Sequence, residues 1–157
     1  MLRLYHGSNV AFDQPDLAKA RDHRDFGLGF YTTTLRSQAE DWARNITARL
    51  GGEPYLYIFD LDQLDALAVK QFAEICVEWL EMVRANRMLG GVRHEFDVVI
   101  GPVANDNTVR TVTNFVEGIY DADEAMRRLR YFRANDQVSL HTVQAMALLE
   151  LKGREHA

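Results

Sequence analysis

Three short stretches hold the residues able to do chemistry: His6-Gly7-Ser8 near the start, the run DFGLGFYTTT at 25–34 that contains Tyr31, and Asp136-Gln137 late in the chain. An imidazole at the end of a strand offers a hydrogen bond near neutral pH, although such a His more often serves the core or the surface. Gly27 and Gly29 permit close backbone approach. Tyr31 supplies an aromatic face with a polar tip. Asp136 and Gln137 differ in kind: Gln137 can hydrogen-bond a hydroxyl but cannot act as a base or carry full charge, whereas Asp136 can do both with a shorter reach. Neighbouring residues of a strand point to opposite faces, so only one of the two enters a given cleft.

Other chemistries find little support. His6, His23, His94, His141 and His156 show no paired ligand spacing, and the single cysteine, Cys76, gives neither a thiolate metal site nor a disulfide framework. No metal is expected. Glu74, Glu78 and Glu81 disfavour a Cys76 thiolate, which leaves that residue a structural role. GLGFYTT is neither a Walker-type loop nor the Gly-x-Gly-x-x-Gly dinucleotide fingerprint. Ser8, His6 and Asp25 lack the nucleophile elbow of a hydrolase. A formal charge of -5 argues against a broad nucleic-acid footprint. Arg127, Arg128, Arg130 and Arg133 are expected on a solvated face. No apolar run reaches the roughly eighteen residues of a membrane span, and the start MLRLYHGS lacks a secretory pattern, so a cytoplasmic location without a membrane partner is expected.

The combination of YHGS, FGLGFYTT about twenty residues later and an aromatic on the following helix resembles the ADP-ribosyltransferase superfamily, in the His-Tyr branch that includes diphtheria toxin and the poly-ADP-ribose polymerases. The chain is similar over nearly its whole length, FDVVIGPVAND and NDQVSLHT included, to a family of small bacterial proteins in that superfamily, often encoded beside an antitoxin. The resemblance implies a mono-ADP-ribosyltransferase that takes NAD as substrate, modifies a macromolecular acceptor and pairs with a cognate antitoxin as the toxin. It places His6 on the adenine-side ribose and Gly7, with Ser8 beside it, at the nicotinamide carboxamide, which needs one donor and one acceptor in fixed geometry. Tyr31 and, after ten intervening residues, Trp42 would enclose the nicotinamide ring, since a π face attracts a cationic ring. Asp25, in the place of a loop that covers NAD, would fix that loop or touch the ligand. Many active relatives carry a Glu where this chain has Gln137, or Asp136 if the register shifts by one. A Gln leaves catalysis to positioning and electrostatics and makes chain elongation less favourable. Two other readings remain: a catalytically silent NAD- or nucleotide-binding module, and an NAD glycohydrolase with water as acceptor.

These residues need a scaffold. The fold class expected is α/β (α+β), a single domain over 1–157 with two small, mostly antiparallel sheets around an NAD cleft and helices outside. Alternation predicts strands at 2–6 and 54–61, and the Val/Ile run at 96–104 predicts a strand buried on both faces. Helical spacing predicts helices from Ser37, as cap, through about 50, over 68–89, and near 107–119 and 122–132, the last preceded by Asp121 and Asp123 as caps. Capping is also expected of Asn105 and Asp106. A strand at 137–141, a short helix and a last strand at 149–152 complete the reading.

Overall fold

A computed structural model describes residues 1–103, 108–129 and 135–157. Strands β1 (Leu2–Ser8), β3 (Tyr55–Leu61) and β7 (Leu149–His156) form an antiparallel sheet in the order β1-β3-β7. The second sheet runs β2 (Phe30–Thr32), β6 (Asn135–Leu140), β5 (Val98–Val103), β4 (Val69–Gln71), with only the β4–β5 pair parallel. Five α-helices accompany them among the described residues: α1 (Arg36–Leu50), α2 (Val77–Leu89), α3 (Val109–Val116), α4 (Ala122–Leu129) and α5 (Val143–Ala147). The molecule is a mixed α+β protein with two open, mostly antiparallel sheets.

Alternation explains the two cores. Tyr57, Phe59 and Leu61 of β3 point with Leu4, Val138 and Leu140 into a core between the sheets. Val98 lies in that core, while its neighbour Val99 lies in the other, formed with Trp79, Leu80 and Val83 of α2 and Phe115 of α3. β5 is therefore buried on both faces, as its unbroken Val/Ile run predicts. Asp121 caps α4 by accepting from the Glu124 nitrogen at 2.8 Å. Arg128 and Arg127 pair with Glu124 on an exposed face, whereas Arg130, Arg133, Asn105 and Asp106 fall outside the described residues.

Three expectations need correction. The helix predicted over 68–89 begins only at Val77, and residues 69–71 are β4. Val69, Phe72 and Ala73 have helical spacing, but β5 offers an open edge: Phe72 donates to the Ile100 carbonyl at 2.7 Å, and that pairing overrides the local pattern. Ser37 does not cap α1, which starts at Arg36 with Leu35 in the cap position and no side-chain cap. The last strand runs on to His156 because β3 supplies a partner along its full length. No helix among the described residues is long and apolar enough to cross a membrane.

Helix α1 lies across β1 with Ala39, Ala43 and Ile46 buried. The two sheets meet at one bridge, where Tyr5 donates to the Thr33 carbonyl at 2.8 Å and Thr33 donates back at 2.9 Å. This junction sets the candidate site.

Candidate functional site

Because Tyr5 turns its N–H and C=O toward Thr33, away from β3, the alternation of an antiparallel ladder turns those of Gly7 the same way. Among the described residues no hydrogen bond reaches the Gly7 main chain on that side. Gly7, itself buried, thus turns one donor and one acceptor without a partner among the described residues toward the edge where the sheets part. Its missing side chain has a separate cause: a Cβ there would lie 2.1 Å from the Ala39 carbonyl oxygen.

His6 lies half-buried beside it. Its ring sits 4.4 Å from that of Phe30, and Nδ1 contacts the Tyr31 carbonyl oxygen at 2.7 Å. A carbonyl only accepts, so Nδ1 carries the proton and Nε2 presents a lone pair. Burial pushes the His6 pKa down to about 4, against the opposing effect of the Tyr31 hydrogen bond and with help from the Arg24 charge. The ring is neutral at physiological pH. Ser8 is turned to local use, its Oγ accepting from the Val10 nitrogen at 3.1 Å.

The Tyr31 hydroxyl donates to the Gly27 carbonyl at 2.6 Å and accepts from the Phe26 nitrogen at 3.0 Å. Burial raises the pKa of this phenol, which stays protonated. The Arg24 guanidinium stands 4.2 Å from the centre of its ring. Two further side chains hold the same loop: His94 Nε2 donates to the Phe26 carbonyl at 2.7 Å and His141 Nδ1 to that of Leu28 at 2.8 Å. Three successive carbonyls are therefore each held by a side chain. Gly27, at φ +94°, fits against Asn86 and Gly91, and Gly29 against the His141 ring.

Asp25 and Gln137 meet on the neighbouring strand face. Gln137 Nε2 donates to Asp25 Oδ2 at 3.2 Å and to the Pro102 carbonyl at 3.1 Å. Arg87 donates to Asp25 Oδ1 from Nε at 2.8 Å and Nη2 at 2.5 Å. Asp136 faces the start of α1, where it accepts from the Thr34 nitrogen at 3.0 Å and from the Thr33 and Thr34 hydroxyls. The adjacent pair thus points two ways, and the carboxylate is the one bound up with α1. Trp42 does not stack on Tyr31. It is 44% exposed on α1, with the Arg49 guanidinium 5.8 Å from its ring centre.

His6, Gly7 and Tyr31 therefore form one group, and Asp25 links its loop to Gln137, while Ser8, Trp42 and Asp136 stand apart from it. Sequence reasoning missed Arg87, His94 and His141 as parts of the site. His141 lies within NDQVSLHT, but nothing in that run marks it as a neighbour of Gly29. Among the described residues no cluster of His, Cys, Asp and Glu is arranged to hold a metal ion. A depression of about 440 Å³ is bordered by Asp13, Phe59, Met146 and Glu150, and another of about 230 Å³ by Phe72, Pro102 and Asp136; neither is lined by His6 or Tyr31.

A family model described as "Protein of unknown function (DUF3990)" matches residues 2–151. The chain belongs to this family. No curated protein and no solved structure matches it. The DUF3990 match takes in every residue of the site, from His6 to His141.

The buried imidazoles make stability depend on pH. Burial pushes His141, like His6, down to about 4 from an ordinary 6.5. As pH falls through 6.5 the unfolded chain takes up protons that the folded protein refuses, so stability is whole above that value and is lost down to about 4. Each imidazole is expected to cost roughly 2 kcal/mol between pH 7 and pH 5. Urea midpoints at the two pH values measure this, and His141→Gln should remove about half of the difference, leaving the share of His6.

Proposed function

We propose that the group around His6, Gly7 and Tyr31 binds NAD and that the chain is an ADP-ribosyltransferase-like protein, which transfers ADP-ribose to a macromolecular acceptor. The observation that carries the reading is the 2.7 Å contact between His6 Nδ1 and the Tyr31 carbonyl. It joins residues 25 apart in sequence and leaves Nε2 as an acceptor for a ribose hydroxyl, beside a Gly7 main chain with one unused donor and acceptor matched to a carboxamide. Arg24 already holds a planar cation over Tyr31, the kind of group a nicotinamide ring is. NAD binding on that face then requires Arg24 to withdraw.

In the reaction the bond between ribose C1′ and nicotinamide breaks, and its electron pair leaves with nicotinamide, which becomes neutral. An acceptor oxygen or nitrogen bonds to C1′ and releases its proton to solvent. Gln137 would hold a hydroxyl of the nicotinamide-side ribose through Oε1. In this reading the protein acts as the toxin of a bacterial pair, with its antitoxin as partner.

A silent binding module is the second reading, favoured by the amide at 137 and by the engagement of Asp136 with three donors from Thr33 and Thr34. Calorimetry with NAD, then measurement of nicotinamide release with and without cell extract, separates the cases. Transfer predicts binding and release that depends on extract, with label from NAD in a macromolecule. Release without acceptor identifies a glycohydrolase, and binding without release a silent module. Absence of binding at millimolar NAD removes the transferase, the glycohydrolase and a module that binds NAD.

A further inference from the structure

We propose that Asp25 is a positioning residue for Gln137, supplying through the Gln137 amide the negative charge that a Glu would carry itself. The proposal rests on the transferase reading above and adds a residue to its machinery. Gln137 has two N–H donors, and both face acceptors, Asp25 Oδ2 at 3.2 Å and the Pro102 carbonyl at 3.1 Å. Turning the amide over would set Oε1 against a carboxylate oxygen and a carbonyl oxygen. The orientation is fixed, and Oε1 is left without a partner among the described residues. Buried acceptors without a partner occur at Gln38 Oε1 and Thr47 Oγ1, not at Gln137, so Oε1 keeps access to solvent.

The direction of polarisation follows. A carboxylate accepting from an amide N–H draws the nitrogen lone pair toward the carbonyl and loads negative charge onto Oε1. Asp25 can do this because Arg87 fills Oδ1 with two donors and leaves Oδ2 for the amide. Asp25 and Gln137 are 7% and 5% exposed, so water does little to screen the effect. Arg87 and Asp25 cancel in charge, and the three side chains form a neutral set.

Installing the Glu of acidic relatives should therefore fail. In Gln137→Glu, carboxylate oxygens would face Asp25 Oδ2 and the Pro102 carbonyl, three acceptors with no donor, and two carboxylates this close cannot both stay ionised without penalty. The double variant Asp25→Asn/Gln137→Glu restores the donor–acceptor contact between the two side chains, and the Pro102 carbonyl, which loses its donor from position 137, keeps the Trp79 indole N–H at 2.9 Å. The new amide at position 25 accepts from Arg87 through its oxygen and donates through its nitrogen to the new carboxylate at position 137, and one negative charge again balances one positive.

The test measures nicotinamide release from NAD, with extract as acceptor, and melting temperature for the wild type, Asp25→Asn, Gln137→Glu and the double variant. Each single variant is expected to lower kcat roughly ten- to a hundredfold with KM within about threefold, and the double to return to within a few-fold of wild type. Gln137→Glu should also melt lower at pH 7, by a margin that narrows at pH 5 as the pair takes up a proton, and the double should recover the loss. A Gln137→Glu protein as active and stable as wild type, or a double variant no better than the worse single, overturns the proposal. If the wild type releases no nicotinamide while the melting pattern holds, the transferase reading falls and the catalytic half with it, and the positioning of Gln137 by Asp25 stands.

Discussion

Gly7→Ala is expected to lower the melting temperature by roughly 10 °C or more. The added carbon would sit 2.1 Å from the Ala39 carbonyl oxygen and 2.9 Å from the Ala43 nitrogen, and both are helix backbone. A long side chain could swing aside, but α1 can yield only by lifting off β1 as a body. That would uncover Ala39, Ala43 and Ile46, which are 3%, 0% and 7% exposed. Overpacking of this kind costs typically 1–3 kcal/mol where neighbours can give, and about 3 kcal/mol or more where they cannot. Thermal denaturation by circular dichroism measures it. A melting temperature within a degree of wild type would mean that α1 does not rest on Gly7.

The same residue shows how far the sequence could be read. His6-Gly7 was legible as a strand end with a special backbone, and the resemblance points that backbone at a ligand. The structure adds a second demand on Gly7, made by α1 on a different side of the residue from its unpaired main-chain groups. No local pattern announces it, because the two small residues involved, Ala39 and Ala43, are ordinary on a helix. Strands β1, β3 and β5 were legible because alternation, or an unbroken apolar run, reports directly on which faces are buried. Residues 68–76 were not, since helical spacing at Val69, Phe72 and Ala73 competes with an edge of β5 about thirty residues away in sequence.

The site divides along the same line. His6 and Tyr31 carry motifs, and their meeting through a backbone carbonyl is what a paired strand end and Gly-rich strand can deliver. Arg87 and His94 act across 62 and 68 residues, on Asp25 and on the Phe26 carbonyl, with nothing in their neighbourhoods to mark them. Trp42 shows the converse: the spacing from Tyr31 suits a ring pair, but α1 leaves the indole 44% exposed.

Tyr31→Ala should abolish NAD-dependent labelling, a fall of at least a hundredfold, because it removes three things together: the ring face, the donor to Gly27 and the acceptor for Phe26. Tyr31→Phe separates them. It keeps the face that Arg24 covers at 4.2 Å and loses only the hydroxyl, so affinity for NAD should stay within a few-fold of wild type. The Gly27 carbonyl and Phe26 nitrogen lose their shared partner, while His94 and His141 still hold the carbonyls on either side. Amide exchange in residues 24–28 should therefore quicken in Tyr31→Phe without unfolding the protein, and the rate of label transfer should fall more than binding does, since Asp25 in that loop is what holds Gln137. Labelling at the wild-type rate by Tyr31→Ala would place the reacting ring elsewhere. Equal losses of binding in Tyr31→Phe and Tyr31→Ala would show that the hydroxyl, through the loop, matters more than the aromatic face.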